Sequence, residues 1–243
     1  MIEQVLISPG YYKMILKAPT IARVSRPGQF AMLKAPGVFL RRPLSIAGVN
    51  KDGIEFIYRV VGAGTRELSL LPRESALDII APLGNGYEYD LKNRVPLLVA
   101  GGTGIASLRF LALSMPVAGV LFYGGKTKND ILPLKEIAAR GWKILIATED
   151  GSRGHKGFVT DLLKRHIGAG RPGNMVLYTC GPHGMEKCVS QIAADNNIPG
   201  YVSLEEMMAC GTGNCQGCAV KTGDSYKMVC SDGPVFNIND ICF

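Results

Sequence analysis

The segment Val95-Pro-Leu-Leu-Val-Ala-Gly-Gly-Thr-Gly-Ile-Ala-Ser107 joins an apolar run to a glycine-rich loop. Val95–Ala100 predicts a buried strand, and Ile105–Leu113 predicts the helix that follows it. Glycines at this junction let a phosphate approach the helix N-terminus, where free N–H groups and the helix dipole attract anions. The candidate dinucleotide-binding residues of the loop are Gly102, Thr103 and Gly104.

Downstream of this loop, short apolar runs alternate with helical patterns. The predicted strands are Val117–Tyr123, Lys143–Thr148 and Met175–Thr179, and the predicted helices are Leu134–Ala139, Phe158–Arg165 and Gly184–Asp195. Strands and helices that alternate with short connections predict a doubly wound parallel sheet. We therefore expect an α/β nucleotide domain over residues 93–200.

Two acidic residues, Glu149 and Asp150, follow the third of these strands. Carboxylates at this place would accept hydrogen bonds from ribose hydroxyls and repel a 2′-phosphate, which favours NAD over NADP. The acid that commonly follows the glycine loop by about 20 residues is absent, since Gly124-Gly125-Lys126 stands there. Lys126 and Arg153 favour NADP instead, and a solvated turn at the strand end is the alternative interpretation.

Upstream, residues 1–92 contain short strand-like runs separated by Pro and Gly, without a convincing helical period. The predicted strands are Tyr12–Leu16, Phe30–Leu33, Leu44–Val49, Ile54–Val61 and Leu77–Ile80. This spacing is typical of a small antiparallel β-barrel. Arg41-Arg42-Pro-Leu-Ser45 and Gly62-Ala-Gly-Thr65 together would clamp a pyrophosphate. Read separately, the first is a basic β-edge and the second a hairpin turn.

The last segment, residues 201–243, contains Cys210, Cys215, Cys218 and Cys230 in the pattern C-x4-C-x2-C-x11-C. This spacing is that of plant-type [2Fe–2S] ferredoxins. Gly211, Gly213 and Gly217 would let the backbone approach the cluster and take positive φ. Zinc and free structural thiols are the alternatives, but zinc sites commonly pair two C-x2-C elements.

This segment is too small for an apolar core, so we expect a metal to hold it together. The two cysteines Cys188 and Cys242 are expected to be small apolar residues without a role in the cluster.

Composition excludes several other classes of protein. The formal net charge is +7, but no run of five or six like charges and no nucleic-acid motif accompanies it. Neither a signal peptide nor an apolar run of about 18 residues is present, so we expect a cytoplasmic protein without a membrane segment. The three histidines show no spacing typical of a hydrolytic triad.

Several of these segments resemble motifs of one known family. Arg42-Pro-Leu-Ser45 is similar to the flavin motif R-P-x-[S/T] of the ferredoxin–NADP reductase superfamily, and Gly102–Ile105 and Cys180-Gly-Pro182 are similar to its pyridine-nucleotide motifs. With a cysteine cluster after the nucleotide domain, the chain resembles electron-transfer subunits of class B dihydroorotate dehydrogenases. The segments 203–211 and 229–236 carry the most specific part of this resemblance.

The resemblance implies an oxidoreductase component with FAD, a [2Fe–2S] cluster and NAD, and it implies a role for each candidate residue. The residues implied to bind FAD are Arg42, Pro43, Leu44, Ser45, Tyr58, Arg59, Val60, Gly64 and Thr65. Gly102 and Gly104 would face the dinucleotide, and Cys180 would lie near the nicotinamide as a catalytic residue.

The family also implies a partner. In it, a catalytic subunit oxidises dihydroorotate on its own FMN, and two copies of each protein form a heterotetramer in pyrimidine (UMP) biosynthesis. Electrons pass through the cluster and FAD to NAD+, because only a flavin converts between single electrons and hydride.

Two alternative functions remain. One is an NAD(P)H-dependent flavin and iron–sulfur reductase serving ferredoxin, sulfide or another redox partner. In that related group an Asp replaces Cys210, so Cys210 favours dihydroorotate dehydrogenase. The other is a non-enzymatic zinc-binding module.

Overall fold

The first sheet is antiparallel and is built from the first third of the chain. A computed structural model describes residues 1–170, 174–223 and 225–243. The six strands are β1 (Glu3–Ser8), β2 (Tyr11–Lys17), β3 (Phe30–Leu33), β4 (Arg42–Val49), β5 (Gly53–Arg59) and β6 (Ile79–Leu83). They lie side by side in the order β1-β2-β5-β4-β3-β6. Two short helices, α1 (Pro19–Val24) and α2 (Ala63–Ser69), accompany this antiparallel sheet.

The second sheet is parallel except at one edge. Its strands are β7 (Val95–Gly101), β8 (Val120–Gly125), β9 (Lys143–Thr148), β10 (His155–Lys156), β11 (Met175–Cys180), β12 (Gly200–Ser203) and β15 (Val235–Asn237). The helices are α3 (Ile105–Ser114), α4 (Lys135–Ala139), α5 (Val159–Gly168) and α6 (His183–Asp195). The order β10-β9-β8-β7-β11-β12-β15 reverses between β7 and β11, and open α/β sheets commonly bind ligands at such a reversal.

The cysteine-rich segment is an excursion from this second sheet. β12 and β15 are antiparallel neighbours, with Ser203 opposite Val235. Between them lie the cysteine loop and a hairpin of β13 (Ala219–Thr222) and β14 (Ser225–Met228). Cys218, Val229 and Cys230 are buried in the same apolar cluster as Leu97 and Phe122 of the parallel sheet.

These observations confirm the predicted fold class, an antiparallel β unit followed by a parallel α/β unit and a C-terminal cysteine-rich segment. Two expectations were wrong. The C-terminal segment does share an apolar core, because its strands extend the parallel sheet. Residues 63–69 form helix α2 rather than a hairpin turn, and β5 already ends at Arg59.

No helix among the described residues is both long and apolar enough to span a membrane.

Candidate functional site

A cavity of about 610 Å³ lies between the antiparallel sheet and the start of the cysteine-rich segment. Its volume falls within the range of roughly 300–1,000 Å³ that is usual for small-molecule sites. The predicted flavin-binding residues that line it are Arg42, Pro43, Leu44, Ser45, Tyr58, Arg59 and Thr65. The opposite wall is formed by Ser203, Leu204, Glu205, Glu206, Met207, Met208 and Pro234.

Arg41 directly precedes β4 and Arg42 is its first residue, and the two side chains have different partners. Arg41 forms a 2.5 Å ion pair with the carboxylate of Asp78, which lowers the pKa of that acid. The Nε atom of Arg42 is buried and has no hydrogen-bond partner among the described residues, although its Nη2 atom donates to the Leu40 carbonyl. A buried donor without a partner is costly, so Arg42 is suited to an anionic ligand.

The remaining flavin candidates support the wall of this cavity. A Cβ on Gly64 would lie 2.7 Å from the Cδ atom of Arg42, so only glycine lets α2 approach that side chain. Thr65 Oγ1 accepts a hydrogen bond from the backbone N–H of Val61. Val60 does not line the cavity, and its backbone N–H donates to the Gly10 carbonyl.

A second cavity, of about 270 Å³, lies at the carboxyl ends of the parallel strands. Its main walls are the ends of β7, β8, β9 and β11 and the start of α5. The residues are Gly101, Gly102, Thr103, Gly124, Gly125, Lys126, Glu149, Gly157, Phe158, Val159, Gly181, Pro182 and Met185. Its position at the reversal of strand order is the one expected for a dinucleotide site.

Among the glycine-loop residues, Gly102 and Thr103 line this smaller cavity, whereas Gly104 lies behind it. A Cβ on Gly104 would come within 2.1 Å of the Cys180 carbonyl oxygen, so the loop can pack on β11 only with glycine there. The Cys180 side chain is fully buried and does not line the cavity. Burial raises the pKa of this thiol, which keeps it protonated.

The two acids after β9 also separate. Glu149 lines the smaller cavity, but Asp150 does not. The Asp150 carboxylate accepts hydrogen bonds from the Ser152 hydroxyl (2.7 Å) and backbone N–H (2.9 Å), which lower its pKa. Asp150 therefore stabilises its own turn in this structure.

Arg59 lines both cavities, as do Thr103 and Glu205. Its guanidinium lies 5.3 Å from the centre of the Tyr11 ring and 3.6 Å from the Asp130 carboxylate. The Tyr11 hydroxyl donates to the same carboxylate over 2.7 Å. Although burial opposes ionisation of Asp130, the hydrogen bond from Tyr11 contributes to a lowered pKa. These contacts hold Arg59 at the boundary between the two cavities.

Two further acids lie near this boundary. Burial raises the pKa of Glu186 to about 8, although its carboxylate accepts a hydrogen bond from the backbone N–H of Gly181. Glu205 is exposed toward the cavities, yet the surrounding protein desolvates it and raises its pKa. Glu205 thus borders both cavities, and Glu186 lies behind Gly181 of the smaller one, and both take up protons more readily than ordinary carboxyl groups.

The four clustered cysteines follow directly after the wall residue Met208. Cys210 Sγ accepts backbone hydrogen bonds from Thr212 (3.4 Å) and Cys215 (3.5 Å), which lower its pKa to about 6. Cys230 Sγ accepts one from Gly213 (3.1 Å) and lies 3.3 Å from Cys218 Sγ. Burial raises the pKa of Cys230 to about 12 despite this hydrogen bond, so only Cys210 is biased toward the thiolate. Backbone hydrogen bonds to the two sulfurs fit an iron–sulfur ligand set.

The loop conformation agrees only partly with the role predicted for its glycines. Gly211 and Gly213 have φ values of 73° and 86°, but positive φ then falls on Gln216 rather than on Gly217. Within the described part of the chain, no three His, Cys, Asp or Glu side chains converge on a single metal ion. The fit to a two-iron cluster therefore rests on the sulfur contacts and on the spacing.

Sequence reasoning missed several residues that border the cavities. The missed residues are Tyr11, Asp130, Phe158, Met185 and Glu205. Four of them come from different elements and belong to no local motif, so nothing in the sequence pattern marks them. Glu205 had a signal, since it lies within segment 203–211, which carries part of the family resemblance.

Two family models match the chain. "Oxidoreductase NAD-binding domain" matches residues 98–191, and "Iron-sulfur cluster binding domain of dihydroorotate dehydrogenase B" matches residues 205–242. The first covers the parallel sheet with the smaller cavity, and the second covers the four cysteines.

Structural comparison finds the same fold in other oxidoreductases. An NADH-dependent reduced ferredoxin–NADP oxidoreductase, solved to study flavin-based electron bifurcation, has a TM-score of 0.89 and 29% identity over 99% of this chain and 88% of its own. The cytochrome P450 reductase GcoB of Amycolatopsis has a TM-score of 0.69 and 23% identity over 81% of this chain and 65% of its own, which shows the fold alone.

Curated relatives match over nearly the whole length. The protein from Clostridium perfringens is 37% identical over 97% of this chain and 93% of its own length. The protein from Caldanaerobacter subterraneus is 38% identical over 89% and 87%, respectively. Both are named dihydroorotate dehydrogenase B (NAD(+)), electron transfer subunit, which confirms the resemblance drawn from the motifs. The chain belongs to this family of electron-transfer subunits.

Proposed function

We propose that this chain carries electrons from dihydroorotate oxidation, through a [2Fe–2S] cluster and FAD, to NAD+ in pyrimidine biosynthesis. The observation that best supports this proposal is the arrangement of three sites in one chain. Two cavities lie side by side, and Arg59 and Thr103 line both of them. The four-cysteine loop follows the wall of the larger cavity. The family membership agrees with this arrangement.

The larger cavity is the flavin site in this proposal, and the smaller is the dinucleotide site. Bound flavin would supply the exchange between single electrons and hydride that neither an iron–sulfur cluster nor NAD+ can perform alone. Arg42, with its buried unpartnered Nε atom, would neutralise the FAD pyrophosphate, and Tyr58 and Ser45 would line the ring side. Arg59 would stand between the phosphates of both nucleotides.

In the dinucleotide site, Gly102 and Thr103 would approach the pyrophosphate at the start of α3, and Glu149 would face a ribose. Gly104 would act indirectly by letting the loop pack on β11. Neither Asp150 nor Cys180 lines the cavity in this structure. Both would therefore support the walls of the site and would not contact the nucleotide.

The four cysteines would hold the cluster, with Cys210 and Cys230 receiving backbone hydrogen bonds.

Dihydroorotate would lose two electrons and two protons on the partner. NAD+ would take both electrons and one proton as hydride, and the second proton would go to solvent. The partner is a catalytic subunit, which we propose carries FMN and forms a heterotetramer of two copies of each chain.

The test reconstitutes purified chain with iron, sulfide and FAD and mixes it anaerobically with NADH. Two irons, two sulfides and one FAD per chain, with flavin bleaching on addition of NADH, would support the proposal. Protein that stays colourless after reconstitution would contradict it.

A second function is favoured by the likeness to the reduced ferredoxin–NADP oxidoreductase, which also spans this chain. Here ferredoxin would replace the dihydroorotate-oxidising subunit. The loaded chain would be titrated with each partner, and NAD+ reduction that depends on dihydroorotate and its FMN subunit would favour the first function. NAD(P)+ reduction by reduced ferredoxin alone would favour the second.

We propose that the partner docks on the rim formed by residues 211–217 and 232–236, because electrons that enter by the cluster need it near the interface. Asn214 is exposed on this rim. Asn214→Glu should weaken partner-dependent NAD+ reduction and leave NADH-to-dye activity intact. Asn174→Glu adds the same charge to an exposed amide directly before β11, outside this rim, and is the control. Equal loss of both activities in Asn214→Glu would contradict this surface.

A further inference from the structure

Arg109 of helix α3 is buried between the two sheets, with 7% of its surface exposed. Its Nη1 atom donates to the Ala47 carbonyl over 2.6 Å and lies 3.2 Å from the carboxylate of Glu55. Its Nη2 atom pairs with Glu136 of α4. One guanidinium therefore joins two helices of the parallel sheet to two strands of the antiparallel sheet.

The contact of Arg109 with Glu55 is an ion pair and not a hydrogen bond, because the buried Glu55 Oε2 atom has no hydrogen-bond partner among the described residues. Glu55 also lies 3.1 Å from the ammonium group of Lys13, so its charge is shared between two cations. A Cβ on Gly48 would come within 2.6 Å of the Arg109 Nη1 atom. Glycine at position 48 thus leaves the space in which α3 docks on β4.

The elements that Arg109 joins are the ones that carry the two cavities. Helix α3 begins directly after the Gly102–Gly104 turn, and Thr103 of that turn lines both cavities. Strand β4 opens with the residues Arg42–Ser45, and β5 ends with Tyr58 and Arg59. A shift of α3 on these strands would move the dinucleotide site relative to the flavin site.

Burying charges in this way is a poor means of gaining stability. An ion pair removed from water loses much of its attraction to desolvation, and well-packed apolar groups often stabilise a protein as well or better. Directional hydrogen bonds from a planar guanidinium do fix geometry, because several N–H groups must meet their acceptors at once. Arg109 is therefore suited to setting position.

We propose that Arg109 is a positioning residue that sets the register between the flavin and dinucleotide cavities. This inference rests on the proposed function, in which a hydride and its two electrons pass between ligands in these cavities. Such a transfer needs reacting atoms about 3–3.5 Å apart, and a misplacement of about 1 Å can slow a reaction by about 100-fold. The contacts of Arg109 with Ala47, Glu55 and Glu136 hold α3 on the antiparallel sheet and thereby maintain the distance between the reacting atoms.

The test uses the full chain loaded with its cofactors and three variants. Arg109→Met and Glu55→Gln each remove one partner, and the double variant removes both. Each single variant leaves a buried charge with fewer partners, so we expect the melting temperature to fall by about 5 °C or more. In the double variant we expect most of that loss to be recovered.

The rate of flavin reduction by NADH separates positioning from stability. Stopped-flow measurements at saturating NADH, at a temperature where every variant is folded, should show a rate at least about 10-fold lower in Arg109→Met and in the double variant. The dissociation constant of NADH and the FAD content should stay within about threefold of wild type. Arg165→Met removes the same charge from an exposed site near the end of α5 and should change neither rate nor binding.

A double variant that reduces flavin as fast as wild type would overturn the proposal, whether or not its melting temperature recovers. So would a loss confined to NADH affinity, because Arg109 would then act on binding. If wild-type chain itself fails to transfer hydride, the proposed function fails instead, and the two outcomes are distinguishable.

Discussion

Arg41 and Arg42 are adjacent in sequence and both line the larger cavity, but their guanidinium groups have different partners. The Arg41 guanidinium is held by Asp78, whereas the Arg42 Nε atom is buried without a partner among the described residues. A charged hydrogen bond contributes about 1.5–3 kcal/mol. The affinity for an anionic ligand should therefore depend mainly on Arg42.

We predict that Arg42→Met weakens FAD binding by about 10- to 100-fold, because a partly buried charge-assisted contact is lost. The dissociation constant is measured by flavin fluorescence during titration of deflavinated chain. Arg41→Met is the matched variant, and its effect should be clearly smaller. Equal losses of FAD affinity in the two variants would show that Arg41 contributes as much to FAD binding as Arg42, despite its ion pair with Asp78.

Glu186 should make stability depend on pH. Burial raises its pKa to about 8, from a usual value of about 4.5, so between these values the folded state binds more protons than the unfolded state. The free energy of unfolding should therefore fall as pH rises through this window. The stabilising contribution of the protonated acid is fully present below about pH 4.5 and lost above about pH 8.

We predict that Glu186→Gln, which can still accept the Gly181 hydrogen bond, removes part of this pH dependence. Its melting temperature should exceed that of wild type at pH 8.5, and the difference should shrink toward pH 5. Thermal unfolding monitored by circular dichroism in matched buffers measures this. A difference that is constant across pH would mean that Glu186 titrates normally.

Residues within one motif were predictable from sequence, and residues from several elements were not. Arg42–Ser45 belong to one short motif on one strand, so a single pattern identified all four as lining residues. Tyr11, Arg59 and Asp130 meet only because β2, β5 and the turn before α4 converge. The sequence separation of Tyr11 and Asp130 leaves no local pattern that would join them.

At the level of elements, the cysteine loop depends on where its backbone turns. Gly213 has a φ of 86°, and a Cβ there would lie 2.9 Å from the Ser231 hydroxyl oxygen. Its N–H also donates to the Cys230 sulfur. Gly217 has no positive φ, and its added Cβ would make only an ordinary 3.6 Å contact with Cys215.

We predict that Gly213→Ala lowers cluster incorporation and Gly217→Ala does not. A non-glycine residue in the left-handed region costs roughly 1 kcal/mol or more, and here the loop must also shift away from a sulfur that it hydrogen-bonds. Iron and sulfide content per chain after identical reconstitution is the measurement. The idea fails if the two variants retain the same iron content.

Strands and long helices were predicted better than short ones. The helix expected over 184–195 was predicted to within one residue, since it begins at His183. It could be predicted because its hydrophobic periodicity extends along most of its length. Helices α1 and α2, with six and seven residues, were not predicted. The five-residue α4 was expected over 134–139, because the alternation of strands and helices calls for a helix there. The strand expected over 117–123 begins at Val120, because its apolar run extends into the preceding loop.

For the whole molecule, the order of units followed from the sequence, but their contacts did not. Alternating patterns predicted the parallel sheet because each strand and helix has its own period. Nothing in the sequence marked Arg109 of α3 as a residue that would lie against Glu55, since the two belong to different sheets. Domain limits at 92 and 200 stay a prediction, although β12 begins at Gly200 and crosses the second limit.

The antiparallel pairing of β12 with β15 makes the cysteine segment an insertion in the sheet, although its Cys218, Val229 and Cys230 pack in the sheet's apolar cluster. Ser203 lies opposite Val235, and the Leu204 N–H donates to the Pro234 carbonyl, so the segment departs and returns at adjacent points. A two-residue hairpin can join such strands. Replacing residues 205–233 with Asn-Gly would keep the two strands joined, at the cost of exposing the apolar surface that Val229 and the two buried cysteines cover. The shortened chain should lose all iron and hold FAD more weakly, yet still pass electrons from NADH to a dye.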